Sequence, residues 1–187
     1  MNRELTSPFQ PFTIGLTSLD LKASPQGERF VSKDGKEEAT RAALAMIREA
    51  YERSPFNRLL GFRLDHVEAG KGEISFIAKP ELIGNFHEGI LHGGVISAVI
   101  DTAGGLAACA SALAGIKDLR PEEAAHKMAR MGTIDLRVDY LRPGKGTEFR
   151  CVGTVVRKGR KLAVTRMELF NQDDNLIAVG TAAYLVG

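Results

Sequence analysis

The sequence predicts an α+β domain in which an antiparallel sheet curls around one long central helix, preceded by a further helix and an extended arm. Three observations point there. From Val95 to Gly115 nearly every residue is apolar or small, and the many Ala and Gly side chains let strands pass close to such a helix. From Gly132 onward the pattern is all strand, opening with Ile134, Leu136, Val138 and Tyr140 in alternation with polar partners. Two short strands precede the apolar segment. At 187 residues the chain is long enough for one domain with a substantial core.

In chain order, residues 1–36 mix Pro, Ser, Thr and Gly with isolated Phe9, Phe12 and Phe30, the pattern of an extended arm or a flexible tail, whose phenylalanines can pack on its own domain or on a neighbouring subunit. A single domain is expected over 37–187. It begins with a helix from Glu37 to Arg53, where Ala42, Ala45, Met46, Glu49 and Ala50 fall at helical spacing and Ser54-Pro55 stops the run. Strands follow at Phe62–Glu68 and Glu73–Ala78 around the turn Gly70-Lys71-Gly72. A loop from Pro80 to Leu91 feeds the central helix, Gly93 to Leu113. Pro121 to Arg130 reads as another helix, with Pro121 in its first turn and Glu122 and Glu123 near its positive end. Three more strands are expected after Gly132–Tyr140. Phe149–Val156 and Leu162–Phe170 are joined by Arg157-Lys158-Gly159-Arg160, and Leu176–Leu185 follows the turn Asn171–Asn175.

Hydrophobic content of 44% and charged content of 26% are those of an ordinary soluble domain. Net charge is only +2, but the stretch Lys127 to Arg166 is strongly basic, opposed by just Asp135, Asp139 and Glu148. Nucleic acid would want aromatic interleaving or a binding motif, and there is neither. A small ligand carrying phosphate suits the stretch, as does a solvated basic sheet face. Cys109 and Cys151 form no disulfide framework or metal spacing and read as small buried hydrophobes. The start of the sequence has no basic-then-apolar signal, so a cytoplasmic protein is expected. Val95–Gly115 is long enough for a membrane span. Its polar residues Ser97, Asp101, Thr102 and Ser111 and the strands after it argue for a wrapped core helix instead.

Asp101 is the anomaly in that helix, since a carboxylate is rarely buried without a partner. Ser97, Asp101 and Gly105 share a helix face, so the acid can point into a small-walled channel, or be satisfied by backbone amides of a neighbouring chain. Upstream, Leu91-His92-Gly93-Gly94-Val95 opens the helix, and two glycines there leave N–H groups accessible at the positive end of the helix dipole. An oxyanion stabiliser and a carboxylate on one helix are parts that a hydrolase of activated esters needs.

This stretch resembles the hotdog-fold acyl-CoA thioesterases, in particular the phenylacetate-degradation (PaaI-like) branch of the 4-hydroxybenzoyl-CoA thioesterase superfamily. That family's helix begins with H-G-G and carries an acid at the place of Asp101. The segment Thr133-Ile134-Asp135-Leu136-Arg137-Val138-Asp139-Tyr140-Leu141-Arg142-Pro143-Gly144 is similar to its following strand and turn, and Val155–Ala163 to its next hairpin. The resemblance covers Pro55 to Gly187 and implies hydrolysis of an acyl- or aryl-CoA to free acid and coenzyme A. Asp101 would be general base or direct nucleophile, and the amides of Gly93 and Gly94 the oxyanion hole. His92 would position the thioester carbonyl, and Thr133 would bind the attacking water. The family's Asn falls at Phe86 here, with Asn85 one residue away and able to take its part. Arg142, Arg157, Lys158, Arg160 and Lys161 would meet the phosphates of coenzyme A. No metal is implied, and no cofactor beyond the coenzyme A of the substrate. A homodimer, paired into a dimer of dimers, would place His92, Gly93 and Asn85 of one subunit opposite Asp101 and Thr133 of the other. The helix at Pro121–Arg130 is an insertion relative to simpler members, a roof over the channel or a surface excursion. Two alternatives share the scaffold: a dehydratase using His87 and Asp101, whose H-F-P-G pattern is missing, and a non-catalytic acyl-CoA-binding protein. Aryl-acetyl, medium-chain and hydroxyaryl groups all remain open as the acyl part.

Overall fold

The computed structural model describes residues 33–114, 116 and 119–187. Most of the arm expected at 1–36 therefore lies outside the described residues, and helix α1 (Lys33–Arg53) starts four residues before the expected Glu37. Ala43, Ile47 and Tyr51, spaced four apart, form its buried stripe. Ser54 then caps a short helix α2 (Pro55–Leu60), its side chain accepting the Asn57 N–H, and Gly61 closes α2 in the left-handed region at φ +75°. Six residues are too few to show a period, so α2 was not visible in the sequence.

Strands β1 (Arg63–Glu68) and β2 (Lys71–Ile77) form the expected hairpin. The segment read as a loop holds a 3₁₀ turn (Pro80–Leu82) and two very short paired strands, β3 (Ile83–Asn85) and β4 (Ile90–Leu91). Helix α3 runs Gly93–Leu113 and α4 runs Pro121–Ala129. Strands β5 (Gly132–Tyr140), β6 (Glu148–Lys158), β7 (Leu162–Asn171) and β8 (Leu176–Leu185) complete one six-stranded antiparallel sheet in the order β1-β2-β6-β7-β8-β5.

The sheet wraps α3, which touches β2, β5, β6, β7 and β8 along its length. Val99, Ile100, Ala103, Ala107, Ala110 and Leu113 are wholly buried on the helix, against Ile74, Phe76, Phe149, Cys151, Met167, Leu169 and Ala178 from the strands. By length and composition α3 could cross a membrane, yet more than half of it is buried within the fold, as a core helix must be. Small residues set the approach distance. A Cβ on Gly104 would come 2.5 Å from the Tyr184 hydroxyl, and one on Gly153 would land on the Ala103 carbonyl. Backbone cannot swing aside as a side chain can. Gly153→Ala is expected to destabilise the fold by about 1–3 kcal/mol or more through overpacking, read as a fall in the urea midpoint; an unchanged midpoint would mean that α3 and β6 are free to separate.

Candidate active site

Asp101 lies mid-way along α3, half-buried, facing the start of β5 and the end of β8. Thr133 Oγ1 donates to its Oδ1 at 2.9 Å, and the Tyr184 hydroxyl lies 2.8 Å from its main-chain oxygen and 3.1 Å from the same Oδ1. One carboxylate oxygen is thereby fixed, and Oδ2 has no partner among the described residues. Burial, and then the Asp101 charge, hold the Tyr184 phenol well above the ordinary tyrosine range. It therefore keeps its proton and acts as a donor. Beside the acid is a cavity of 220 Å³ lined on the helix by Thr102, Gly105, Ala108 and Cys109, and on the sheet side by Met131, Gly132 and Val186 among others. The face shared by Asp101 and Gly105 thus opens onto a small-walled pocket, as its spacing predicts. Cys151 is fully buried, but Cys109 is only partly so and lines this pocket; burial pushes its thiol up to about 12.

At the other end of the helix His92 is the N-cap, with φ −63° and ψ 135°, and its Nδ1 accepts the Gly94 N–H at 2.9 Å. Two consequences follow. The Gly94 amide is already used, so of the two expected oxyanion donors the Gly93 N–H is the one without an acceptor among the described residues. With Nδ1 accepting, the neutral imidazole carries its hydrogen on Nε2, which can donate outward to a carbonyl. The Gly93 carbonyl accepts from Ser97 Oγ and from the Tyr140 hydroxyl, both at 3.1 Å, which braces this first turn from β5.

Asp101 and Thr133 are brought together within one chain; His92 and Gly93 are not brought to them. Nine residues of helix separate His92 from Asp101, ~14 Å and about two and a half turns, so the two leave α3 on opposite sides. Asn85 does not approach Asp101 either. It is exposed at the end of β3, where its Oδ1 accepts the Glu88 N–H at 3.3 Å in a local turn. Lys145 pins the same loop through a 2.7 Å pair with Glu88, which lowers the Glu88 carboxyl from its usual range.

The five expected phosphate-binding cations divide into two places. Arg142 donates to the Leu176 carbonyl at 2.8 Å, at the far end of β5 from Thr133, a separation of ~30 Å for a nine-residue strand. Arg157, Lys158, Arg160 and Lys161 lie at the β6–β7 turn, whose neighbour Leu162 pairs with Leu185, which in turn pairs with Gly132. This turn is therefore at the Thr133 end, with Lys158 Nζ donating to the Ser111 carbonyl in the last turns of α3. In the sequence Tyr140 reads only as one of the alternating strand residues, and Tyr184 is not singled out. Tyr184 shares strand parity with buried Ala178, Gly180 and Ala182, so its ring had to point inward, and an inward hydroxyl requires a partner.

Comparison with known proteins identifies the family. The family model described as "Thioesterase superfamily" matches residues 88–178. The medium/long-chain acyl-CoA thioesterase YigI of Salmonella typhimurium is 43% identical over 146 residues, which cover 78% of this chain and 94% of that protein. The chain belongs to the thioesterase superfamily. YigI of Escherichia coli is 42% identical over the same span. Among solved structures, a Shewanella oneidensis protein related to the thioesterase superfamily superposes with a TM-score of 0.75 at 43% identity, covering 79% of this chain and 97% of that one. PaaI of the Escherichia coli phenylacetic acid degradation operon, at 19% identity and TM-score 0.65 over 80% of this chain and 96% of its own, shares the fold. A superfamily thioesterase has the hotdog fold, which is the wrapped helix described above.

Proposed function

We propose that this protein hydrolyses medium- to long-chain acyl-CoA thioesters, releasing the free acid and coenzyme A, with Asp101 as the reacting carboxylate. One observation carries the reading. A carboxylate anchored through one oxygen by Thr133 and Tyr184 keeps the other oxygen unpartnered, and Asp101 lines a narrow, mostly apolar pocket, an arrangement suited to attack on an acyl carbonyl or to taking a proton from water. The acyl range follows the YigI relatives, in place of the aryl groups of the phenylacetate branch. Coenzyme A enters as part of the substrate, and a cytoplasmic protein fits that substrate.

The oxyanion donor must come from a second copy of the chain, because the Gly93 amide, at the α3 N-terminus, stands eight residues and ~12 Å along the helix from Asp101 of the same chain. Strand β5 is an edge of the sheet, carries Thr133, and exposes Ile134 and Tyr140. Edges of that kind are normally paired. Two copies joined along β5 form a homodimer whose two-fold axis sets each α3 N-terminus opposite the partner's acid. In each such site the incoming carbonyl accepts from the Gly93 N–H and the His92 Nε2–H while an oxygen, of water deprotonated by Asp101 or of Asp101 itself, bonds to the carbonyl carbon. The C–S bond then breaks and the thiolate of coenzyme A leaves, and on the second route water cleaves the resulting anhydride to the free acid.

The test is a panel of acyl-CoAs from acetyl to palmitoyl, plus phenylacetyl- and hydroxybenzoyl-CoA, followed by free-thiol release. The expected result is a kcat/KM maximum among medium and long chains. A maximum on the aryl thioesters would move the substrate class to the phenylacetate branch, and no release from any member would favour a non-catalytic acyl-CoA-binding protein.

A further inference from the structure

We infer that the cleft between α4 and the C-terminal segment is an anion site for the phosphorylated nucleotide end of coenzyme A, with Lys127 and Arg130 as its cations. The inference rests on the thioesterase reading and extends it to α4. The cleft has a volume of 530 Å³ and is walled by Glu122, Glu123, His126, Lys127 and Arg130 from α4 and its end, and by Val186 and Gly187.

Position is the first argument. Val186 lines both this cleft and the Asp101 pocket. Arg130 stands three residues before Thr133, at most ~10 Å of chain. A pantetheine arm is longer than that, so a thioester held at Asp101 can set its phosphates in the cleft.

Charge is the second. Arg63, Arg120, Arg137, Arg150 and Arg166 each pair with a carboxylate. Among the described residues, no ion pair within 4.0 Å involves Lys127, Arg130, Arg157, Arg160 or Lys161. These unpaired cations come from two distant stretches of sequence and converge at one end of the domain. The Val186 N–H donates to the Lys161 carbonyl at 2.8 Å, which draws the β6–β7 turn against the wall of the cleft. Of the two acids in the wall, Glu123 is bound by Arg120 at 2.7 Å and only secondarily feels Lys127, and Glu122 also acts on Arg120, so Arg120 takes up much of the acidic charge that faces Lys127 and Arg130. A guanidinium fork beside an ammonium is a fitting pair for a phosphate group.

The experiment is the full-length double variant Lys127→Ala/Arg130→Ala, titrated calorimetrically with coenzyme A and with pantetheine, and assayed on an acyl-CoA and the matching acyl-pantetheine. The expected result is at least a tenfold loss of affinity for coenzyme A and a matching rise in KM for acyl-CoA, with both pantetheine compounds unaffected. Coenzyme A binding by the wild type should also weaken as salt rises, and less steeply so in the variant. Should the double variant misfold, the single changes Lys127→Gln and Arg130→Gln replace it, each with a smaller loss of the same selectivity. Unchanged coenzyme A affinity, equal losses for coenzyme A and pantetheine, or failure of the wild type to bind coenzyme A would each overturn the site. So would an effect that grows with acyl-chain length alike on both carriers, which would give the cleft to the acyl chain. If coenzyme A binds through these residues but no acyl-CoA is hydrolysed, the anion site stands and the hydrolase reading falls.

Discussion

Asp101→Asn should fold normally, bind acyl-CoA normally and turn over roughly 10²–10⁴-fold more slowly, the usual cost of removing a positioned base or nucleophile. The substitution is nearly isosteric, and its retained carbonyl oxygen can still accept from Thr133 and from Tyr184, so the local hydrogen bonds survive. What disappears is the negative charge and the basic or nucleophilic second oxygen. Steady-state kinetics on the best substrate of the acyl-CoA panel, together with a urea unfolding curve, separate chemistry from stability. A kcat within a few-fold of wild type, at unchanged stability, would remove Asp101 from the mechanism and send attention to the residues at the helix N-terminus. A rise in KM with kcat preserved would make it a binding residue.

How much of this was legible in the sequence depends on the length over which a pattern can repeat. Helix α3 and strand β8 have the expected bounds because each runs for ten residues or more with uninterrupted character. The small sheet of β3 and β4 has strands of three and two residues, too short to show alternation, so it passed as a loop. Asp101 stood out because a lone charge in an apolar run violates the pattern around it. Thr133 was reached only through the family resemblance, since a threonine at the start of a strand is unremarkable. Tyr184 violates nothing in composition. Only the phase of its strand, set by Ala178, Gly180 and Ala182, gives it away. The division of the basic stretch was hidden for a different reason. Arg142 and Arg160 are near in sequence, but antiparallel pairing sends strand ends to opposite sides of a sheet, and net charge along the chain carries no record of that.

Mixing two inactive variants should restore about a quarter of wild-type activity if the site is shared between chains. The first is Asp101→Ala. The second is Gly93→Pro, and the local backbone makes it an unusually clean deletion of one donor. Gly93 is the first residue of α3, where proline is well tolerated and its missing N–H breaks no helical hydrogen bond. His92 before it already has φ −63° and ψ 135°, the extended conformation that a following proline demands. A Cβ at position 93 would meet only the Tyr140 ring, at an ordinary 3.5 Å. The fold should therefore persist while the free amide is lost, at a cost of roughly 10²–10³ in kcat for a single oxyanion donor. In randomly assorted dimers about half are mixed. Each mixed dimer has one site with both defects and one with neither, because the intact Asp101 of one chain faces the intact Gly93 of the other. Co-expression with two affinity tags isolates the mixed species, which should then carry about half the activity of the wild-type dimer. Mixed dimers that are purified intact and remain inactive would place Asp101 and its oxyanion donor in the same chain, and the shared-site arrangement would have to be abandoned.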